Sequence, residues 1–489
     1  MTEEYKATKL FVGSCVALIA TAMTFAVLSA IMNPLKQQFL LTNEQVGYIG
    51  GAGLWGFPIS ILIFGPLCSV LGIRFLLRLA FLFFISGISL MILAKNFWML
   101  FFGALTIAFA NGLVEGACNP LVATLYPDRK TEKLNQFHVW FPGGIVIGGL
   151  LCYFLDKVGI TDWRIKVGSI LIPTFAYAMI MLAEKFPETE RAQSGVSFGE
   201  MIKETLGRPL FILLFICMMM TASVELGPNR WIPAVLEAGG IPGMLVLVWT
   251  SLLMALLRQF AGPVVEKLSP TGMLLGSAVL SGIGLFALSY AQTYTTIFIA
   301  DTIFAIGVCY FWPTMLGVAS ERVPKGGEFA LALLGFAGNV GVGLLTIPLM
   351  GRVADYYGHE KFDADKTIAI VKQVEEVFPQ LLQSSGSRER EAMLTLLAEA
   401  KEIQTHYNEK KSLPPIKTAE LFRRVILLAP ENHEITKKAK DLLNPADLYG
   451  GRIGFRYVSG LCVILTIVFG AIYLRDLKMG GYKAEQLTA

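Results

Sequence analysis

The sequence predicts an all-α polytopic membrane protein, with twelve transmembrane helices in two pseudo-symmetric six-helix bundles. Three observations predict it. Of 489 residues, 54% are hydrophobic and only 16% are charged, which is too apolar for a soluble globule of that length. The apolar residues fall into runs of about 20, the length that spans a bilayer. Landmarks of the first half return in the second at an offset of about 195 residues, the mark of an internal duplication.

The runs are 10–34, 46–71, 75–94, 98–126, 134–156, 163–183, 208–229, 241–265, 271–291, 295–320, 328–354 and 455–475. The first follows the charged stretch Met1 to Lys9 and is about 25 residues long, beyond the apolar core of a cleaved leader, so it reads as a crossing. An even number of crossings puts both termini on one side. The short loops of that side carry about seventeen Lys and Arg against about six on the other, which predicts a multi-pass inner-membrane protein with cytoplasmic termini. The polar residues 184–207 separate an N-terminal bundle, 1–183, from a C-terminal one, 208–489, as a cytoplasmic linker.

The two halves share landmarks. Gly65-Pro66 followed by Leu71 returns as Gly262-Pro263 followed by Leu268. Phe141, Gly143 and Gly148 return as Phe336, Gly338 and Gly343, and Asp156-x-x-Gly159 returns as Asp355-x-x-Gly358. In transporters built this way the substrate site lies between the halves near the midplane. Residues 359–451 break the apolar pattern and carry roughly a third of the charges. Within them Met393, Leu396, Leu397, Ala400 and Ile403 are spaced for one face of a helix over 388–411. Parity makes this segment an extracytoplasmic helical insertion between helices eleven and twelve.

Several function classes drop out. The net charge of +4 is scattered, so no basic tract offers itself to nucleic acid. The seven cysteines all lie in apolar runs and read as packing thiols, and no spacing suits a metal. Gly51-x-Gly53-x-x-Gly56 matches a dinucleotide pattern in its letters, yet no strand precedes it. Glycines inside an apolar helix instead let backbones approach. With no Walker sequence and no cofactor motif, any pumping draws on an ion gradient. A membrane enzyme would need a nucleophile–base pair or acidic doublet at a membrane border, and none is present.

The residues that carry chemistry centre on Glu115 to Gly149. Glu115 and Asn119 are four apart on one helical face, in apolar sequence where a charge costs about 2.5–3.5 kcal/mol on insertion scales. Such a group faces a cavity or a partner. A desolvated carboxyl favours its neutral form, which suits loading and shedding a proton. After the polar turn Asp128 to Lys133, the next run opens with Asn135, His138 and Trp140. His138 is the one histidine within the membrane part, and an imidazole with an ordinary pKa near 6.5 suits a proton relay. Glu225, Asn229 and Trp231 end helix seven around Gly227-Pro228, where Glu225 and Asn229 share a face and Trp231 offers a stacking surface. Trp312 and Asn339, with Trp140, are placed to line a cavity by the two-fold logic, aromatic faces and amides being what a neutral polyol needs. Arg258 reads as an inner-gate or snorkelling residue. Asp301 is a reserve acid.

These residues resemble a known family. Leu41-Thr42-Asn43-x-Gln45-x-Gly47, Glu115-x-x-x-Asn119-Pro120, Leu134-Asn135, Pro313-Thr314 and Pro348-x-Met350-Gly351-x-Val353-x-Asp355-x-x-Gly358 are similar to the fucose, galactose and glucose proton symporter branch of the major facilitator superfamily. The resemblance covers about Leu35 to Tyr473 without the insertion. It implies alternating access by rocking of two bundles and sugar uptake coupled to protons, with a protonatable Glu at Glu115 and a sugar-contacting residue at His138. The acid that the family bears near the end of helix one is replaced by Ala30, so coupling falls to Glu115. The acidic residue of the superfamily loop after helix two falls at Ser69, leaving Gly65, Gly72 and Arg74, and Glu266 is the substitute in the second-half copy.

The sequence reading is therefore a sugar or polyol importer with a small-molecule substrate, protons and the lipid bilayer as partners, acting as a monomer. A facilitator or antiporter for an organic anion or amphipathic drug is the rival within transport. A transporter-like sensor signalling through the insertion is the rival outside it.

Overall fold

In the computed structural model, which describes residues 5–39, 41, 43–358, 361–384, 387–430, 432–485 and 487, every regular element among the described residues is helical. Among the described residues eleven helices are long and apolar enough to cross a membrane, and the shorter apolar helix Gly243–Gln259 supplies a twelfth. Helices one to six are Ala7–Gln38, Asn43–Phe64, Ile73–Ile92, Phe97–Leu125, Lys130–His138 continued by Trp140–Lys157, and Trp163–Ser169 continued by Leu171–Met181. Helices seven to ten are Pro209–Ala238, Gly243–Gln259, Ala261–Leu288, and Tyr294–Val308 followed by Phe311–Arg322. Helix eleven is Gly327–Val340, leading through a π-turn into Ile347–Gly358, and helix twelve is Glu434–Lys478. Thr42 of the motif entering helix two lies outside the described residues.

Both chain ends pack on one face, called here the terminal face. Lys9 Nζ meets Glu184 at the end of helix six at 2.5 Å, and Arg208 at the start of helix seven meets Glu485 at 2.7 Å. The hydrogen bond from Lys9, with Lys6 beside it, holds the Glu184 carboxyl below the usual carboxylate range. The linker is more ordered than its polarity predicts. It forms the short helices Glu190–Gln193 and Phe198–Gly207, whose first turns are capped by the Thr189 and Ser197 hydroxyls. The polar turn expected at 128–133 is likewise half helical, because Lys130 to Lys133 already form the first turn of helix five.

The duplication is repeated in the packing. A methyl group added at Gly87 would lie 2.9 Å from the Ile107 backbone nitrogen, and one at Gly284 2.3 Å from that of Phe304, with both residues shifted by 197 (87 to 284 and 107 to 304). Without a hydrophobic force between helices in lipid, such small residues set how closely helices three and four, and nine and ten, approach. Gly284→Ala is therefore expected to cost about 1–3 kcal/mol by overpacking against backbone. Thermal melting in detergent checks this, with Gly276→Ala, which faces open space, as the neutral comparison.

The insertion has an apolar core of its own. Helices Ala364–Ser384, Ser387–Lys410 and Pro415–Leu428, with the start of helix twelve, enclose Val374, Phe378, Leu396, Ala400, Phe422 and Leu443. The end expected at residue 451 is not a break in the chain, since helix twelve runs unbroken from Glu434 into the crossing. Gly450 and Gly451 let that rod press against the Ala354 carbonyl and Val235 where a larger residue would end the contact. Arg423 fastens the insertion to the bundle, bonding both Asp355 at the end of helix eleven and Asp447 at 2.7 Å.

Candidate functional site

Helix four carries an unbroken buried stretch from Ala110 to Leu125, and its polar residues are all engaged with neighbours rather than lipid. Asn111 donates to Thr24 of helix one at 2.8 Å. One turn on, Asn119 Nδ2 approaches Glu115 Oε2 at 3.4 Å, while Asn119 Oδ1 lies 3.0 Å from His138 Nε2 of helix five. Glu115, Asn119 and His138 are each at most 5% exposed. With Asn119 accepting from His138, the imidazole carries its proton on Nε2. The charged side chain that reaches Glu115 electrostatically is Arg258, from the other half of the molecule.

Arg258 is the centre of the arrangement, and two prolines explain why. In a helix the carbonyl of residue i accepts from the amide of residue i+4, and a proline there has no N–H to give. Pro142 thus strips the His138 carbonyl of its partner, and Pro313 strips that of Cys309; helices five and ten both break at these points. Arg258 fills both vacancies. Its Nη1 donates to the His138 carbonyl at 3.1 Å and its Nε to that of Cys309 at 2.5 Å. Its Nη2 donates to Glu225 Oε1 at 2.8 Å. Helix eight ends one residue later, at Gln259, so the side chain lies among the broken segments of helices five and ten.

Around this group lie buried polar atoms with no hydrogen-bond partner among the described residues: Glu225 Oε2, Asn229 Oδ1, Asn135 Oδ1 and Trp312 Nε1. Leaving such an atom unmet costs about 1–3 kcal/mol. The Arg258–Glu225 pair sets one positive and one negative group against each other.

The structure separates other predicted residues from this group. Trp140 follows His138 by two positions, about 200° round a helix, and is 37% exposed on the opposite side. Trp231, six residues past Glu225, packs against Gly351 of helix eleven. Asn339 bonds the Gly335 carbonyl of its own helix at 2.9 Å, and it is its neighbour Gly338 that abuts the Trp312 ring. Asn135 joins the halves, donating to the Thr314 hydroxyl at 3.2 Å. Asp301 is sealed between helices eight and ten with Thr250 Oγ1 at 2.9 and 2.8 Å from its two oxygens.

Of the three residues expected at the inner gate, Arg74 bonds the Leu182 carbonyl at 2.9 Å within the first half, Glu266 is exposed, and Arg258 lies in the central group. The contacts that join the halves on the terminal side come from residues the sequence reading passed over. Glu321 Oε1 accepts from the Thr131 amide at 3.0 Å and its hydroxyl at 2.8 Å. Lys130 reaches the Ser320 carbonyl at 3.3 Å and Glu190 at 2.5 Å. From the linker, Arg191 meets Glu328 at 2.9 Å and also contacts Ser69 and the Val196 carbonyl. Tyr482 donates to Glu321 Oε2 at 2.6 Å, with its phenol held well above the ordinary value by burial and by that carboxylate. A signal was present in the sequence: Glu132 and Glu328 stand 196 apart, and Glu132 faces Gly262 as Ala332, one turn past Glu328, faces Gly65. Arg191→Ala is expected to open this face, raising alkylation of a cysteine introduced at Ala123 at least threefold.

Residues 10–250 match the Major Facilitator Superfamily model. Sugar transport protein 8 of Arabidopsis thaliana is 33% identical over 116 residues, 24% of this chain and 22% of that protein. The chain spans 22–30% of the length of the first plant and frog relatives it matches. The probable sugar efflux transporter of Haemophilus influenzae (strain PittGG) is 21% identical over 366 residues, 73% of this chain and 89% of that protein. Among solved structures, FucP, the E. coli fucose:proton symporter, in its outward conformation superposes with a TM-score of 0.60 at 20% identity, covering 71% of this chain and 92% of that one. That likeness is one of fold.

Proposed function

We propose that this chain, which belongs to the major facilitator superfamily, is a secondary transporter that imports a sugar or related polyol with protons. The observation that carries the reading is the Glu115–Asn119–His138 chain of the first half, set against a charge-neutral Arg258–Glu225 pair ringed by unmet hydrogen-bonding atoms. Glu115 loads and releases the proton. A sugar has hydroxyls to donate to Glu225 Oε2, Asn229 Oδ1 and Asn135 Oδ1, and oxygens to accept from the Trp312 indole, which only donates. The names of the relatives support sugar as the substrate class, with the Haemophilus influenzae relative named for efflux.

In this reading the terminal face is cytoplasmic and the structure is closed on that side. The central groups are buried, so the conformation is occluded at their level. Reopening on the terminal side breaks the Thr131–Glu321 and Arg191–Glu328 contacts. An uncoupled facilitator is the second reading, favoured by Ala30 where the branch bears an acid. The test is uptake into proteoliposomes of labelled L-fucose, D-xylose, D-galactose and D-glucose, beside lactate and a cationic dye, with and without a pH gradient. Sugar accumulation that collapses with an uncoupler supports symport, sugar equilibration that ignores the gradient supports the facilitator, and uptake of lactate or dye alone overturns both.

A further inference from the structure

We propose that Arg258 is the positioning residue that couples ligand occupancy at Glu225 to the Glu115 proton site, through its bond to the His138 carbonyl. The inference rests on the transport reading and deepens it. Three facts carry it. Of the guanidinium's three bonds, those to Cys309 and Glu225 stay within the second half, while that to His138 alone crosses to the first. The carbonyl it grips belongs to the same residue whose ring meets Asn119, and Asn119 meets Glu115. The crossing bond exists because Pro142 leaves that carbonyl without a helical partner.

A ligand hydroxyl on Glu225 Oε2 draws carboxylate charge away from Oε1 and so loosens Nη2 of Arg258. The fork is planar and rigid, so its hold on the His138 carbonyl changes with it. A shift of the helix-five backbone at residue 138 moves the imidazole against Asn119, and with it the bond that Asn119 offers the Glu115 carboxyl. Occupancy in one half and protonation in the other then bias the same two-state element, which is what coupling requires. The charged and titratable groups that face Arg258 are Glu225, Glu115 and His138, with the Cys309 thiol and Tyr310 phenol beside it.

Two substitutions test this in proteoliposomes, using whichever of L-fucose, D-xylose, D-galactose or D-glucose the intact protein takes up. Arg258→Lys keeps the charge but replaces the fork with one ammonium that cannot reach all three acceptors. Pro142→Ala touches no charge and returns an amide N–H to the His138 carbonyl, so that Arg258 loses its grip on the first half. Pro142→Ala is expected to lower gradient-driven accumulation at least fivefold while solute exchange at zero gradient falls less than twofold, and both substitutions are expected to reduce the protons moved per solute. Pro313→Ala alters the matching bond inside the second half, so its accumulation and exchange change in equal proportion. Accumulation and exchange falling together in Pro142→Ala, or neither falling, or an unchanged number of protons moved per solute in Arg258→Lys, overturns the proposal. Absence of accumulation by the unaltered protein overturns the symport reading itself, and the proposal with it.

Discussion

Replacing Glu115 by glutamine is expected to abolish gradient-driven accumulation while leaving equilibrium exchange within about threefold of the unaltered protein. The amide is nearly isosteric and still offers an oxygen to Asn119 Nδ2, so the helix-four packing survives. What disappears is a group that can gain and lose a proton. With one proton per solute, a gradient of one pH unit supports about a tenfold concentration ratio, because each unit corresponds to about 1.4 kcal/mol. The variant is expected to hold a ratio of one under the same gradient, and its exchange rate is expected to lose the pH dependence of the parent. The measurement is labelled sugar in proteoliposomes at paired internal and external pH. Undiminished accumulation by Glu115→Gln would remove Glu115 from the mechanism and turn attention to Asp301, a carboxyl buried among the crossings against the Thr250 hydroxyl.

The largest effect on stability is expected at Arg258. Arg258→Met breaks a buried ion pair, which costs about 3–5 kcal/mol when one partner is left alone. It also strands two carbonyls that prolines have already denied their helical partners, at about 1–3 kcal/mol each. Melting of the detergent-solubilised protein is expected to fall by well over the change for Gly284→Ala. Adding Glu225→Gln removes the lone carboxyl and is expected to recover the ion-pair part but not the carbonyl part. A melting temperature for Arg258→Met indistinguishable from the parent would mean that the pair and the carbonyls contribute nothing in the folded protein. The double substitution is expected to be inactive in transport, since Glu225 Oε2 belongs to the proposed ligand site.

Much of the site was legible because its members are close in sequence or share a helical face. Glu115 and Asn119 are one turn apart, and Glu225 and Asn229 are too, so the 3.6-residue period alone predicts that each pair faces together. The same period turns Trp140 away from His138 and Trp231 away from Glu225. Arg258 is harder to place from the sequence. Its position late in a hydrophobic run suggests an interfacial residue, but helix eight stops at Gln259 and helix nine's first segment, 261–268, continues toward the terminal face with a break at Ser269 before Pro270. That break sets the guanidinium among the central groups. Pro142 and Pro313 were visible throughout as residues that orphan a carbonyl, though nothing local says which donor answers them.

By itself the sequence determined the lipid environment, the crossings, the two halves and the separate insertion, because burial in hydrocarbon requires long apolar helices and duplication leaves a spacing that can be read. It also singled out the helix-four acid, since a carboxyl in an apolar run must be facing something. Only the tertiary structure decided what that something is. Arg258 reaches His138, Arg191 reaches Glu328 and Glu321 reaches Thr131, each more than a hundred positions away, and the pairing of one half's donors with the other's acceptors follows from how two bundles are set against each other. Helical periodicity fixes the face a residue occupies, and the neighbour across that face is fixed by packing.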